Sequence, residues 1–301
     1  MGVITVGIKK DPLTKIHAKH LIEQMKFSGI HYEFEIKEFL TEDNQALDQP
    51  YDTKERGGQF VEELDDLLLN ETVDIVIHRL KNAVRLDVNE RMNEYIPLRD
   101  DHRDVLISKD NILLKDLTED ARIGTNTARR FAQLSLLKEG LQTKQISGSI
   151  GSKVQQLHNG NYEAIILSAE SVKRFGLSES IITEYLPVDE VTPAAGQGAL
   201  AVKCLSENKL LDAFIKKVDD KQTHTAILTE RLFLQTVKLS ANFSTGCFAA
   251  VNGDNIELFI AIITENKEVV LRAHALGDSP ESVVNAAIEA LKEKDVTNII
   301  V

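Results

Sequence analysis

Apolar runs of two different periods divide the chain into elements. Val3 to Ile8 is a β-branched run suited to a buried strand. Pro12 then opens a helix to about Lys26, with Leu13, Ile16, Ala18, His20, Leu21 and Met25 available for its inner face. Tyr32 to Ile36 alternates as a second strand. Asn44 to Arg56 is polar and aperiodic, and reads as a loop of the kind that covers a site. Phe60, Leu64, Leu67 and Leu68 mark the next helix, and Val73 to Ile77 the next strand. This βαβαβ order predicts a parallel sheet with right-handed crossovers.

Ile96 to Ser108 links this unit to a second one. The second holds a strand at Arg122, a helix over Thr127–Lys138, a strand near Gln145, a helix over Ser152–His158, a strand over Ala164–Leu167 and a helix ending before Gly176. Pro193 to Gly198 is small and glycine-rich, as a chain crossing between domains would be, and Ala199 to Lys203 reads as a strand returning to the first sheet. After Asp220 the pattern changes. A helix over Thr225–Leu239 precedes alternating segments at Ile256–Ile263 and Val269–His274, with a hairpin turn at Asn252-Gly253. An amphipathic helix over Ser279–Lys292 and a strand over Val296–Val301 complete an α+β unit.

The formal charge of −12 gives no broad basic field to displace counterions from a phosphate backbone, which argues against nucleic acid. The start lacks the pattern of a signal peptide, and no apolar run approaches the ~20 residues of a membrane helix. With Cys204 and Cys247 alone, a disulfide framework is not expected, and a reducing cytoplasm fits. Cys204 reads as a small buried hydrophobe in the returning strand.

Against this acidic background the basic segments stand out. Arg122 to Leu134 bends at Gly124, offers Thr125, Asn126 and Thr127 as helix caps, and places Arg129 and Arg130 in the first turns. Free N–H groups, a helix dipole, hydroxyls and two guanidinium groups suit an anion; the plainer reading is a capped helix with two solvated arginines. His78-Arg79-Leu80-Lys81-Asn82 and Lys9-Lys10-Asp11-Pro12 follow buried strands, where an open α/β sheet usually presents its working side chains. Ser147 to Lys153 is a glycine-serine approach to a helix without a phosphate-loop ending. Ser244-Thr245-Gly246-Cys247 reads as a flexible loop presenting one thiol before a strand.

In order along nearly the whole chain, these segments resemble the porphobilinogen deaminase (hydroxymethylbilane synthase) family. Gly58 to Leu64 resembles its Gly-x-Phe-Val-Lys-Glu-Leu helix, and His78 to Asn82 its His-Ser-Met-Lys-Asp segment. Gly124 to Leu134 is similar to its Gly-Thr-Ser-Ser-Leu-Arg-Arg signature. Pro193 to Ala199 resembles Pro-Ala-Val-Gly-Gln-Gly-Ala, and Gly246-Cys247 its cofactor-bearing Gly-Cys. The resemblance implies two periplasmic-binding-protein-like α/β lobes with a cleft between them and a smaller C-terminal α+β domain. The boundaries expected are 1–98 with 196–214, 99–195, and 215–301.

It also implies a chemistry of tetrapyrrole and haem biosynthesis. A dipyrromethane primer hangs by a thioether from Cys247; porphobilinogen units lose ammonia and add one at a time; water releases the linear tetrapyrrole, all on a cytoplasmic monomer. Arg129 and Arg130 match the pair that holds the acetates and propionates, with Thr127 as hydroxyl donor, Lys81 as the family lysine and Arg174 near the growing chain. Several positions depart. Asn82 stands where the family has a catalytic aspartate, and it carries neither charge nor a titratable proton. Lys9 replaces an arginine and Asp11 a serine, the latter adding negative charge where carboxylates bind. Ser147 replaces an arginine, and Lys153 another, keeping charge without the bidentate fork. Asp11 is one candidate to compensate for Asn82. A non-catalytic relative that binds a tetrapyrrole or another polycarboxylate, and a two-lobed binding protein for a small anion, are the alternative readings.

Overall fold

The computed structural model describes residues 2–27, 32–40, 56–82, 89–138, 140–237, 239, 243–264 and 270–293, with main chain alone for 56–60 and 82. The loop expected at Asn44–Arg56, apart from Arg56 itself, and the strand expected at Val296–Val301 lie outside these residues.

The first unit runs β1 (Val3–Lys9), α1 (Pro12–Phe27), β2 (Glu33–Phe39), α2 (Arg56–Leu69), β3 (Ile75–Arg79) and β4 (Met92–Tyr95). The second runs β5 (Asp104–Ser108), β6 (Arg122–Thr125), α3 (Ala128–Leu137), β7 (Gln142–Gln145), α4 (Ile150–His158), β8 (Ala164–Ser168), α5 (Ala169–Arg174) and β9 (Glu184–Tyr185). The chain then returns through β10 (Leu200–Leu205), which inserts antiparallel between β3 and β4. The sheets are ordered β2-β1-β3-β10-β4 and β7-β6-β8-β5-β9. In each, the first strand of a βαβαβ unit pairs in parallel with the other two, and an antiparallel strand follows. The two α/β lobes thus share one plan, with the C-terminal ends of their parallel strands facing a common cleft.

After α6 (Lys209–Ile215) come α7 (Lys221–Val237), β11 (Phe243–Asn252), β12 (Asn255–Thr264), β13 (Val270–Gly277) and α8 (Pro280–Lys292). The strands form an antiparallel sheet turned at Gly253, where φ is +63°, and α8 begins in a capping box at Ser279. Its core joins α7, α8 and one sheet face through Phe233, Leu258, Ile260, Val283 and Leu291.

Three expectations change. Ser244 to Cys247 is strand, not loop, because it pairs with Ile263 to Ile260 of β12; pairing to an apolar strand overrides a Ser-Thr-Gly composition. Ile96–Ser108, read as linker, ends in β5. On α1, His17 and Ile22 are buried while Ile16 is half-buried and His20 exposed. The helix packs against α5 as well as β1, which turns its inner stripe by about one residue.

Two segments cross between the lobes, and they bond to each other: Asp100 N–H donates to Gly198 O at 2.9 Å. Gly196 has φ +70°, and a Cβ there would lie 2.6 Å from the Leu80 carbonyl carbon and oxygen, so only glycine fits. Leu80 N–H in turn donates to Ala199 O at 3.0 Å. The returning chain is therefore fastened to the turn that carries Lys81.

Candidate active site

The second lobe supplies most of the charge. β6 is short because Thr125 and Asn126 lead straight into α3, whose N-cap Thr127 is extended and makes no side-chain cap bond. The hydroxyls of Thr125 and Thr127 are buried without a hydrogen-bond partner, as is Arg130 Nε. Arg129 is 6% exposed and Arg130 3%, and both reach Asp104, which is fully buried at the start of β5. Arg129 Nη2 donates to Asp104 Oδ2 at 2.6 Å and Nη1 to Thr192 O at 2.7 Å. Arg130 Nη2 donates to Asp104 Oδ1 at 2.8 Å, which Gln197 Nε2 also reaches at 2.8 Å. Burial alone would raise the Asp104 carboxyl, but the two guanidinium groups outweigh it and hold it charged. Much of the arginine pair's hydrogen bonding is thus spent inside the protein, and Arg130 keeps the unpartnered Nε.

Lys153 is buried one helix away on α4. Burial, then Arg130, pushes its ammonium down to about 8. Lys81 lies in the tight turn Leu80–Asn82 after β3, and burial followed by Arg130 and Arg129 pulls it well below the ordinary lysine value, with Asp104 opposing. Lys81 thus lies in the field of Arg129 and Arg130, and Lys153 in that of Arg130. The side chain of Asn82 lies outside the described residues. His78, just before the turn, is fully buried and held neutral, pushed down to about 3 by burial and then Lys203.

Other expected residues stand apart. Asp11 accepts at Oδ2 from Thr14 N–H at 2.8 Å and from the Thr14 hydroxyl at 2.7 Å, so it caps α1. Lys9 beside it is half-buried. Ser147 is exposed, its carbonyl accepting from Gln156 Nε2 at 3.0 Å. Arg174 is taken up by Asp100 in a forked pair, with Nη2 at 2.6 Å from Oδ2 and Nε at 2.9 Å.

The reading of Cys247 as a thiol presented on a flexible loop requires a correction, because it lies within β11. Its side chain is 1% exposed, within the apolar core of the third sheet, and Sγ makes a long contact of 3.7 Å with Glu230 O. Burial, then the Glu230 charge, raises the thiol well above its usual range, so the thiolate is scarce. The main chain is nonetheless beside the lobes: Cys247 N–H donates to Pro193 O at 2.8 Å, and a Cβ on Gly246 would lie 2.6 Å from Thr192 O.

Two buried carboxylates were missed. Glu230 of α7 is fully buried; its Oε1 accepts from Arg99 Nη1 at 2.6 Å and Ala249 N–H at 2.9 Å, its Oε2 from Gly196 N–H at 2.7 Å. It ties the third sheet to both crossings. Glu170 of α5 is 2% exposed and meets His17 and Arg79 of the first lobe. The one sequence signal for Glu230 is a charge inside the apolar stripe Ile227–Phe233.

Comparison with known proteins places this geometry. Residues 4–213 match the family model described as "Porphobilinogen deaminase, dipyromethane cofactor binding domain". Porphobilinogen deaminase of Oceanobacillus iheyensis is 34% identical over 300 residues, covering 100% of this chain and 97% of that protein. The Bacillus subtilis protein of the same name is 31% identical, covering 100% and 96%. Among solved structures, the periplasmic VFT2 domain of Bordetella pertussis BvgS is 14% identical with a TM-score of 0.40, covering 72% of this chain and 86% of that one. Among the described residues no helix is long and apolar enough to cross a membrane. With a family model over most of its length and full-length relatives above 30% identity, the chain belongs to the porphobilinogen deaminase family.

Proposed function

We propose that this chain condenses porphobilinogen in the cleft between its α/β lobes, as a cytoplasmic monomer carrying a dipyrromethane primer on Cys247. The observation that carries the reading is Arg130, whose charge acts on both Lys81 and Lys153 and whose Nε, like the hydroxyls of Thr125 and Thr127, is a buried donor that the protein leaves unpartnered. A buried hydroxyl or guanidinium N–H without a partner is unfavourable by about 1–3 kcal/mol, and a carboxylate from outside removes that penalty. The donor set therefore fits a group bearing acetates and propionates. The thiol does not fit as it is placed, because Cys247 faces the core.

The primer, when bound, supplies the pyrrole carbon to which each incoming unit is joined. The protein's own residues do the rest. Arg130, Thr125 and Thr127 bind carboxylates, and Lys153 adds charge at their edge. Asp104 keeps the two arginines oriented, and neutral His78 keeps the end of β3 dry. Asn82, at the family's catalytic position, can accept a pyrrole N–H bond but holds no proton and no charge.

The test is intact mass and Ehrlich's reagent on purified protein, followed by a porphobilinogen consumption assay. A covalent primer lost in Cys247→Ser, with turnover by the parent, supports the reading; a bare thiol and no turnover sinks it. The second reading, a non-catalytic polycarboxylate binder, is favoured by Asn82 and by the sealed thiol. It predicts binding of a polycarboxylate without consumption of porphobilinogen.

A further inference from the structure

The turn after β3 carries an unusual charge. Set against the His-Ser-Met-Lys-Asp segment that residues 78–82 resemble, the chain has a cation at Arg79 in place of serine and no anion at Asn82. Two positive charges with no carboxylate among them would repel the ammonium of an incoming aminomethylpyrrole. The structure supplies a carboxylate from elsewhere. Glu170, on α5 of the second lobe, points across to the first lobe, where Oε1 lies 3.3 Å from Arg79 Nη2 and 3.0 Å from His17 Nε2 of α1. It is 2% exposed, so its charge is screened little by water. Lys81 also acts on it. The other buried carboxylate acting on Lys81, Asp104, is already shared by Arg129 and Arg130. Burial would raise Glu170, but Arg79 and then His17 outweigh it and hold it at about 2, so it is ionised at any working pH.

We propose that Glu170 is a positioning residue for the reaction: reaching over from the second lobe, it cancels the charge that Arg79 adds to the turn, leaving Lys81 as the one uncompensated cation there. It acts through Arg79, offsetting that charge so that a cationic aminomethyl group can settle beside position 82. The proposal rests on the function proposed above.

The experiment compares full-length parent, Glu170→Gln, Asn82→Asp and the double variant. The readouts are porphobilinogen kinetics, calorimetric binding of porphobilinogen and thermal midpoint. Glu170→Gln is expected to lower kcat/KM by about tenfold, less than removal of a direct electrostatic contact, and to weaken porphobilinogen binding; Asn82→Asp in the double variant restores both. Unchanged kinetics in Glu170→Gln overturns the proposal. So does a lowered midpoint with lost turnover that Asn82→Asp fails to restore, because that marks a structural latch. Where Glu170→Gln does not fold, Arg79→Ser with Glu170→Gln removes both charges; that pair is expected to keep porphobilinogen binding near the parent's, and loss of it overturns the idea. A parent that neither binds nor consumes porphobilinogen overturns the function itself, whereas an active parent indifferent to Glu170 overturns this inference alone.

Discussion

The two lobes share a strand order yet finish their equivalent strands in opposite ways. At the end of β1 the next helix is capped by Asp11, whose carboxylate fills its own helix N-terminus through Thr14. At the end of β6 the N-cap is Thr127, whose hydroxyl has no partner. One residue decides whether a helix N-terminus is satisfied from within or offered to a ligand anion. The lobes differ in their cations too. Arg129 and Arg130 are buried around Asp104 and Lys153 is buried near Arg130, whereas Lys9 is half-buried and Lys10 exposed. The second lobe is built to hold a carboxylate; the first has supplied its own.

The sharpest break of this contrast is Asp104→Asn. It leaves two buried guanidinium groups without their anion, and unfolding by denaturant is expected to show a loss of about 3–5 kcal/mol. Removal of the Asp11 cap by Asp11→Ala is expected to lose only about 1 kcal/mol; equal losses would show that the lobe tips are not differently built. Next in size is a pH effect at Lys153. Only its protonated form attracts carboxylates, so affinity for citrate on primer-free protein falls as pH rises through about 8. The fall approaches about tenfold per pH unit, the limit for loss of one proton. Lys153→Arg is expected to abolish that dependence, and a persisting slope would assign it elsewhere. For stability the sign reverses: a lysine with a lowered folded value penalises the fold below about 8 and is relieved as pH rises above it. Thr127→Val removes a buried hydroxyl that bonds nothing in the protein, so stability is expected to rise by about 1 kcal/mol while citrate affinity drops by roughly fivefold. The smallest change is Asp11→Ser. Serine and aspartate cap comparably, so stability shifts by less than about 0.5 kcal/mol, while citrate affinity rises as the α1 terminus loses its resident charge; unchanged affinity would show that this terminus does not face the ligand.

Periodicity made most elements legible. β1, α1, β3, α3, β8, the Asn252-Gly253 hairpin and α8 all lie within a few residues of where apolar spacing and caps place them. The family resemblance proposes Lys81, Arg129, Arg130 and Lys153 as members of one site. What stayed hidden was the set of partners that neutralise them. Asp104 heads an apolar strand, Glu170 follows one, and Glu230 rides an apolar helix. Each meets its arginine at least 25 residues away in sequence, so no local pattern records the pair. The same holds for His17, which the apolar spacing of α1 does not pick out and which faces Glu170 of the other lobe. Cys247 was misread for a different reason. Its serine, threonine and glycine neighbours have loop chemistry, but the apolar strand Ile260–Ile263 beside them imposes a ladder.

The contact between Gly196 and Leu80 has a mechanical consequence. When two bodies swing on paired straps, points near the fulcrum travel least. Leu80 is held against the returning strap by its bond to Ala199, and Arg129 is held to the same strap through Thr192 and Gln197. Lys81 and the arginine pair therefore sit beside the pivot. A swing of the lobes about these straps leaves the spacing between these charges nearly constant.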